Sequence, residues 1–491
     1  MIVWGISAQS HDASLAVVKN GEILFASHSE RYSRKKNDAD LHEKLLSDAL
    51  CSGEPDCIFW YESPWIKYTR QIVIGKPGIA KLFPEKYVRI FHNKKTRFIT
   101  STHHRSHAAT GFFTSGLSNA AVVVVDSVGE WETSSIWTGN EGKLKKCYSQ
   151  HYPHSLGLWY SAMTHRCGLQ PNQDEYILMG MAAFGNPDRF YEIIKNDFFK
   201  RTGANFRLRH NLFWGCRWWK SDELKGAQDF YDVAAATQRI FEEIMLDICS
   251  YAAKLTNCRN LVLAGGCALN CVANSLVVKQ GWEKCWIFPN PGDAGSAVGA
   301  IAGNLCKPVD WVSPFLGHEI EGKYPVKRVL NSLLQSKIAG VASGRAEFGP
   351  RALGNRSFLA DPRGKSIKDL VNNYKKREPF RPFAPAVLEE YADRCFEMPV
   401  KSSPYMQFVA KCRNPELYPA IVHVDGTSRV QTVGKKSDSG FRLLLEEWYK
   451  ETGCPMLLNT SLNIKNQPLV NTEADAKEWS RINKVPVWCR E

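Results

Sequence analysis

The sequence predicts an α/β protein in which one unit occurs twice, followed by a C-terminal part of different texture. Three observations carry this. A pattern of apolar strand, acidic turn and β-hairpin appears at 1–27 and again at 119–150. Apolar helical stretches follow each copy. Beyond a weak linker at 306–325, "CKPVDWVSPFLGHEIEGKYP", the chain becomes dense in arginine and turn residues.

The elements follow in order. "MIVWGIS" is a short apolar strand, and "ASLAVVKNGEILFASHS" is two strands joined at Asn20-Gly21, the signature of a type I′ turn. "AAVVVVDSVGE" is a buried strand running into a polar turn, and "TSSIWTGNEGKLKKCYS" is again strand, glycine-containing turn and strand. Helices are expected at roughly 40–50, 103–115, 155–167 and 228–256. "NLVLAGGCALNCVANSLV" and "KCWIFPNPGDAGSAVGAIAG" each read as strand, glycine turn and helix, where backbone can approach a ligand and a helix N-terminus favours an anion. No GxxxxGK[ST] is present, which excludes a P-loop.

At 491 residues the chain needs more than one core. Its 44% hydrophobic and 23% charged residues are ordinary for a globular protein. No apolar run reaches the ~20 residues needed to cross a bilayer, and the start has neither the basic nor the apolar region of a signal peptide. The fifteen cysteines form no CxxC pair, and the Cys267–Cys271 spacing is poor for zinc. They read as reduced, buried residues of a cytoplasmic protein.

The net charge of +13 is concentrated. Residues 67–97 hold nine Lys/Arg against Glu85, and residues 195–220 hold seven against Asp197, so the rest of the chain is near neutral. The second run also carries Phe198, Phe199, Phe206, Phe213, Trp214, Trp218 and Trp219. Cations neutralise phosphates and aromatic faces stack on unpaired bases, so Arg207, Arg209, Arg217, Trp218 and Trp219 are candidates for a nucleic-acid surface. A solvated basic surface over a core of aromatics fits the same pattern.

In "STHHRSHAAT", His103 and His107 are four residues apart and share one helix face, a spacing that suits a shared metal ion or an ordinary surface helix. Past the linker, "GRAEFGPRALGNRSFLADPR", "YKKREPFRPFAPAV" and "TSRVQTV" place arginines through loops, where the guanidinium fork matches phosphate oxygens or pairs with Asp361, Glu378 and Glu389.

"GGCALN", "EFGPRALGNRS" and "FRPFAP" together carry a specific resemblance. From "GISAQSHDAS" through "LNTSLN", the chain resembles the O-carbamoyltransferases of nodulation-factor, cephamycin and tobramycin biosynthesis. The resemblance implies a duplicated actin/sugar-kinase-like (ribonuclease-H-like) domain at 1–318 and a YrdC-like α/β domain at 319–491. The second would join carbamoyl phosphate to ATP as carbamoyl-adenylate, and the first would pass the carbamoyl group to an acceptor hydroxyl and release AMP.

The same resemblance implies a divalent metal, Fe2+, on His103, His107, Asp126 and Asp293, with Mg2+ accompanying ATP. His104 is a bystander. His11 would be the base, with Asp12 to orient it or to cap the turn. Lys36, with Lys35 as its rival, and Gly129, Gly266 and Asn270 would border the nucleotide. Arg351, Arg356, Lys375, Arg381, Arg429 and Ser461 would receive carbamoyl phosphate and ATP. One departure stands out: Ile177 occupies a position where the family usually has lysine. Family acceptors are sugars or antibiotics. The basic runs argue instead for a polyanion, such as a 5-hydroxymethyl pyrimidine (5-hydroxymethylcytosine) in DNA, which must be flipped out or single-stranded to react. A small-molecule hydroxyl, or a nucleotide-binding protein without catalysis, are the competing readings. Oligomeric state is open between monomer and homodimer.

Overall fold

A computed structural model describes residues 1–75, 82–92, 96–378, 380–437 and 440–491, without the side chains of residues 90 and 91. The chain divides into two compact units, one of Met1–Ser29 with Asn37–Val312, the other of Glu30–Lys36 with Ser313–Glu491.

The first unit is built on two five-stranded sheets of the same connectivity. β1 (Ile2–Ser7), β2 (Ser14–Lys19), β3 (Glu22–His28), β4 (Cys57–Trp60) and β5 (Arg97–Thr100) assemble in the order β3-β2-β1-β4-β5. The first three are antiparallel, and β4 and β5 add in parallel. β6 (Asn119–Gly129), β7 (Glu132–Asn140) and β8 (Lys143–His151) form the second meander. β9 (Phe199–Arg201) and β10 (Arg207–Leu208) pair as a separate ribbon, and β11 (Asn260–Ala264) and β12 (Lys284–Ile287) then complete the order β12-β11-β6-β7-β8 with the same strand senses. Two copies of this sheet make the duplicated actin/sugar-kinase-like (ribonuclease-H-like) architecture that the sequence predicts.

Local chemistry explains the repeat. Asn20 and Gly21 both have positive φ, +52° and +98°, as the type I′ hairpin between β2 and β3 requires. The strands β1 and β6 are almost wholly buried, which matches their unbroken apolar runs. The helices Leu156–Arg166 and Ala227–Thr256 fall where the apolar periodicity puts them. The helix Ser296–Leu305 packs closely on the helix His103–Thr114, because Gly299 lacks a Cβ: one there would stand 1.9 Å from the Ser106 carbonyl oxygen. That contact fixes the histidine helix against the turn that carries Asp293.

The second unit contains β13 (Phe315–Ile320), β14 (Ile338–Ala342), β15 (Gly344–Glu347), β16 (Arg356–Ala360), β17 (Ala384–Leu388), β18 (Phe396–Glu397), β19 (Val409–Cys412), β20 (Thr427–Arg429), β21 (Gln431–Val433), β22 (Met456–Ser461) and β23 (Val487–Trp488). Its main mixed sheet has the order β21-β17-β22-β16-β14-β23. A core that includes Val341, Phe358, Val387, Leu444, Trp448, Leu458 and Trp479 packs around it. Among the described residues no helix is long and apolar enough to cross a membrane.

Candidate active site

His103 and His107 lie on the first turns of their helix, and both are buried. Asp126 stands on β6 and Asp293 opens the turn before the helix Ser296–Leu305. The four converge, with one ligand atom from each within 4.8 Å of every other. His103 Nε2 is 3.2 Å from Asp126 Oδ2 and 3.4 Å from Asp293 Oδ1. His107 Nε2 is 3.7 Å and 3.3 Å from the same atoms and 3.0 Å from His103 Nε2.

Burial works against every charge here, but the groups answer one another. The carboxylates Asp293 and Asp126 hold His103 well above the usual imidazole range, and the histidines hold both carboxyls below theirs. His107 Nδ1 faces the Pro291 carbonyl at 3.1 Å and Ser296 Oγ at 3.2 Å. The carbonyl takes the Nδ1 proton, which leaves the Nε2 lone pair for the cluster. Two imidazole nitrogens this close, with two carboxylates around them, fit a divalent first-row cation.

Gly129 and Gly266, named from the sequence, adjoin this centre, as do Glu62 and Glu130, which carry little sequence signal. The imidazole of His103 occupies the space a side chain at Gly129 would need. Gly266 N donates to Asp126 Oδ1 at 3.1 Å. Glu62 is buried, bonded to buried Lys67 at 2.5 Å, and its Oε2 is 3.8 Å from His103 Nδ1. Glu130 accepts from the Ser63 and His103 backbone N–H groups, and burial pushes its carboxyl up to about 7. The one clue to Glu62 is an apolar run, "CIFWY", that ends in an acid, as "AVVVV" ends in Asp126.

His11 is partly exposed, and its Nε2 lies 3.0 Å from the Asn172 carbonyl, which takes that nitrogen's proton and leaves Nδ1 as the basic atom. Burial opposes the imidazolium, but Asp12, Asp293, the Asn172 carbonyl and Asp126 together raise its pKa. Asp12, expected to orient His11, places its Oδ1 2.9 Å from His28 Nδ1, and His28 Nε2 lies 3.0 Å from Asn290 Nδ2. Asn270 caps its helix through Ala273 N and exchanges two hydrogen bonds with Gln238, so its amide is committed within the protein. His104 is buried with Nδ1 on Ser135 Oγ, outside the four-ligand cluster. Ile177 is buried. Lys36 belongs to the short Glu30–Lys36 segment counted with the second unit.

The second unit has its own polar centre. Lys375, buried, donates to Ser461 O at 2.5 Å and Oγ at 3.1 Å, and to Asn463 O at 3.1 Å and Oδ1 at 2.9 Å. All four acceptors are neutral. Burial, with Arg377 and Arg381 nearby, holds the ammonium well below the usual lysine range. Arg381 pairs with Glu378 at 3.3 Å. Asn463 and Arg377 were missed in the sequence, although the spacings Lys-x-Arg and Ser-x-Asn mark them. Arg351 and Arg429 are partly exposed.

Arg356 departs from expectation. It is fully buried and makes six hydrogen bonds, all to the backbone carbonyls of His318, Ser343, Gly344, Asn355 and Asn471. Its fork is saturated within the protein, so it ties the chain together and has no donor left for a phosphate.

The basic runs are also partly internal. Lys67 and Arg70 are buried; Lys86, Arg89 and Arg97 are exposed; Lys76, Lys81, Lys94 and Lys95 lie outside the described residues. In the second run Arg207, Arg209, Arg217, Trp214 and Trp218 are exposed. Phe198, Phe199, Phe206 and Trp219 are core, and Trp219 Nε1 donates to Asp197 Oδ2 at 2.8 Å. Trp219 therefore cannot stack on a base.

Comparison with known proteins agrees along the length of the chain. The family model described as the carbamoyltransferase N-terminus matches residues 71–302, and that of the carbamoyltransferase C-terminus matches 330–487. An uncharacterized protein of Synechocystis sp. is 34% identical, over 96% of this chain and 93% of its own. Nodulation protein NolNO of Sinorhizobium fredii is 30% identical, over 95% of this chain and 76% of its own. Nodulation protein NolO of Bradyrhizobium diazoefficiens is 33% identical, over 76% of this chain and 75% of its own. Among solved structures, a ROK hexokinase from Thermus thermophilus is 14% identical, over 62% of this chain and 99% of that one, with a TM-score of 0.31. The matched halves and these relatives make the chain an enzyme of the carbamoyltransferase family.

Proposed function

We propose that the enzyme is an ATP-dependent O-carbamoyltransferase that works in two steps at two sites. The observation that carries this is the presence, in one chain, of a cluster of two histidines and two carboxylates in one unit and a buried cationic pocket around Lys375 in the other. In the second unit, carbamoyl phosphate, ATP and water give carbamoyl-adenylate, pyrophosphate and phosphate. Lys375, Arg377, Arg381, Arg351 and Arg429 lower the repulsion between the two anionic substrates. In the first unit the carbamoyl group passes to an acceptor hydroxyl and AMP leaves.

His103, His107, Asp126 and Asp293 would hold a divalent metal, Fe2+ by the family resemblance, which supplies Lewis-acid polarisation and offsets phosphate charge. His11 takes the acceptor's proton at Nδ1 while the Asn172 carbonyl fixes the ring. Gly129 and Gly266 border the nucleotide in the first unit, and Mg2+ accompanies ATP.

For the acceptor, the exposed Arg207, Arg209, Arg217 and Trp218 favour a polyanion, a 5-hydroxymethyl pyrimidine in DNA. The test incubates enzyme, ATP and carbamoyl phosphate with plain DNA, hydroxymethylated DNA and a free aminoglycoside, read by mass spectrometry. A carbamoyl adduct on hydroxymethylated DNA alone supports the DNA reading. An adduct on the aminoglycoside alone replaces it with a sugar-like acceptor, and no AMP release with any acceptor overturns the two-step scheme.

A further inference from the structure

In the second unit, Val341, Ser357 and Ser461 oppose one another directly across β14, β16 and β22. Directly opposed residues project from the same face of a sheet. Asn459, two residues before Ser461, shares that face, and so does Ser343, whose N–H continues the pairing to the Asn355 carbonyl. Ser461 Oγ is also a ligand of the Lys375 ammonium, so this face meets the cationic pocket at that serine.

This face mixes apolar core side chains, Val341 and Leu359, with buried polar ones that are incompletely bonded. Glu347 Oε1 accepts from the N–H groups of Leu353, Asn355 and Arg356 at 2.8, 2.9 and 3.2 Å, which holds the loop "FGPRALGN" over the sheet end. Among the described residues, five buried atoms here have no hydrogen-bond partner: Ser343 Oγ, Glu347 Oε2, Asn355 Oδ1, Ser357 Oγ and Asn459 Oδ1. Buried polar groups in a native protein are normally satisfied, and a run of exceptions along one part of a sheet asks for a missing partner. Three of these atoms can only accept, and the two hydroxyls can donate or accept. The missing partner therefore presents hydrogen-bond donors, which an amide NH2 supplies in a pair. It is small, because each of the five residues is at most 6% exposed. It is not a phosphate, whose oxygens the carboxylate of Glu347 would repel.

We propose that this face is the pocket for a primary amide, the carbamoyl group of carbamoyl phosphate, with its NH2 on the acceptors and its phosphate toward Lys375. The inference rests on the reading that the second unit activates carbamoyl phosphate. It gives that site its specificity, because a site built to bond an N–H rejects an isostere that lacks it.

Two stable probes test this in the full chain by calorimetric titration: phosphonoacetamide, and acetonylphosphonate, in which a methyl replaces the NH2. The wild type binds the amide at least about tenfold more tightly. Glu347→Gln keeps an oxygen for the three backbone donors but turns the free acceptor into a donor, and Ser357→Ala removes an unpaired hydroxyl without loss of melting temperature. Both bring the ratio to within about twofold and leave ATP affinity unchanged. Equal binding of the two probes by wild type, or an unchanged ratio in the Ser357→Ala protein, overturns the pocket. Should the wild type discriminate but release no pyrophosphate from ATP and carbamoyl phosphate, the activation reading fails and the amide pocket stands.

Discussion

The imidazole of His103 lies where a side chain on residue 129 would have to be: a Cβ on Gly129 would come within 2.0 Å of His103 Cδ2. The glycine of "DSVGE" thus makes room for a candidate metal ligand.

Gly129→Ala is expected to displace His103 and weaken metal binding by roughly tenfold or more, the scale at which changes around a ligand act. His103→Ala with His107→Ala should remove the metal entirely. Metal content after dialysis, measured by plasma mass spectrometry, checks both. Retention of about one metal per chain in the double variant sinks the assignment of the cluster.

The two half-reactions should separate. Lys375→Ala or Arg381→Ala abolishes carbamoyl-adenylate formation. His11→Ala leaves it measurable and slows transfer by about 10²–10⁴-fold, the range of a general base. Since the carboxylates raise the His11 pKa, transfer should climb with pH through a midpoint above 6.5. If pyrophosphate release and transfer fall together in His11→Ala, the base role is wrong.

Lys375 has a sharp pH signature. Its folded pKa lies below the ordinary 10.5, so below that pH the unfolded chain binds more protons, and stability rises with pH between the folded value and 10.5. Lys375→Met should flatten that slope while it kills activity. Above the folded value an anionic substrate restores the charge, so there the wild type takes up a proton on binding. Calorimetry in two buffers of different ionisation heat measures the uptake; equal heats contradict it.

Arg356→Lys should act on the fold and spare phosphate binding. It leaves several of five backbone carbonyls without donors, at a cost of roughly 3 kcal/mol or more. Denaturant midpoints read the loss, and the KM for ATP of the folded fraction should not change.

At the basic run, Arg207, Arg209 and Arg217 to Glu should weaken DNA binding and its salt dependence while pyrophosphate release stays intact. Trp218→Ala should cost about 1–3 kcal/mol of binding if its ring stacks on a base, whereas Trp219→Ala should lower melting temperature. Binding at 150 mM salt that is equal in the charge-reversed and wild-type proteins points to a sugar-like acceptor.

By itself the sequence determined the duplicated unit, because a type I′ turn at Asn20-Gly21 and unbroken apolar strands are local signals that packing has no cause to override. It also determined the HxxxH pair, since helical spacing alone puts His103 and His107 on one face. Whether a cation is structural or functional was not legible. Arg351 and Arg356 sit in one sequence motif, yet Arg356 is consumed by carbonyls from three distant stretches and its own neighbour. Lys67 and Arg70 look like the start of a basic surface, yet they turn inward beside Glu62 and Glu130. Trp218 and Trp219 are adjacent, and one is half exposed while the other is core. Burial and hydrogen-bond partners come from chain segments far apart in sequence, and only the tertiary structure brings those segments together.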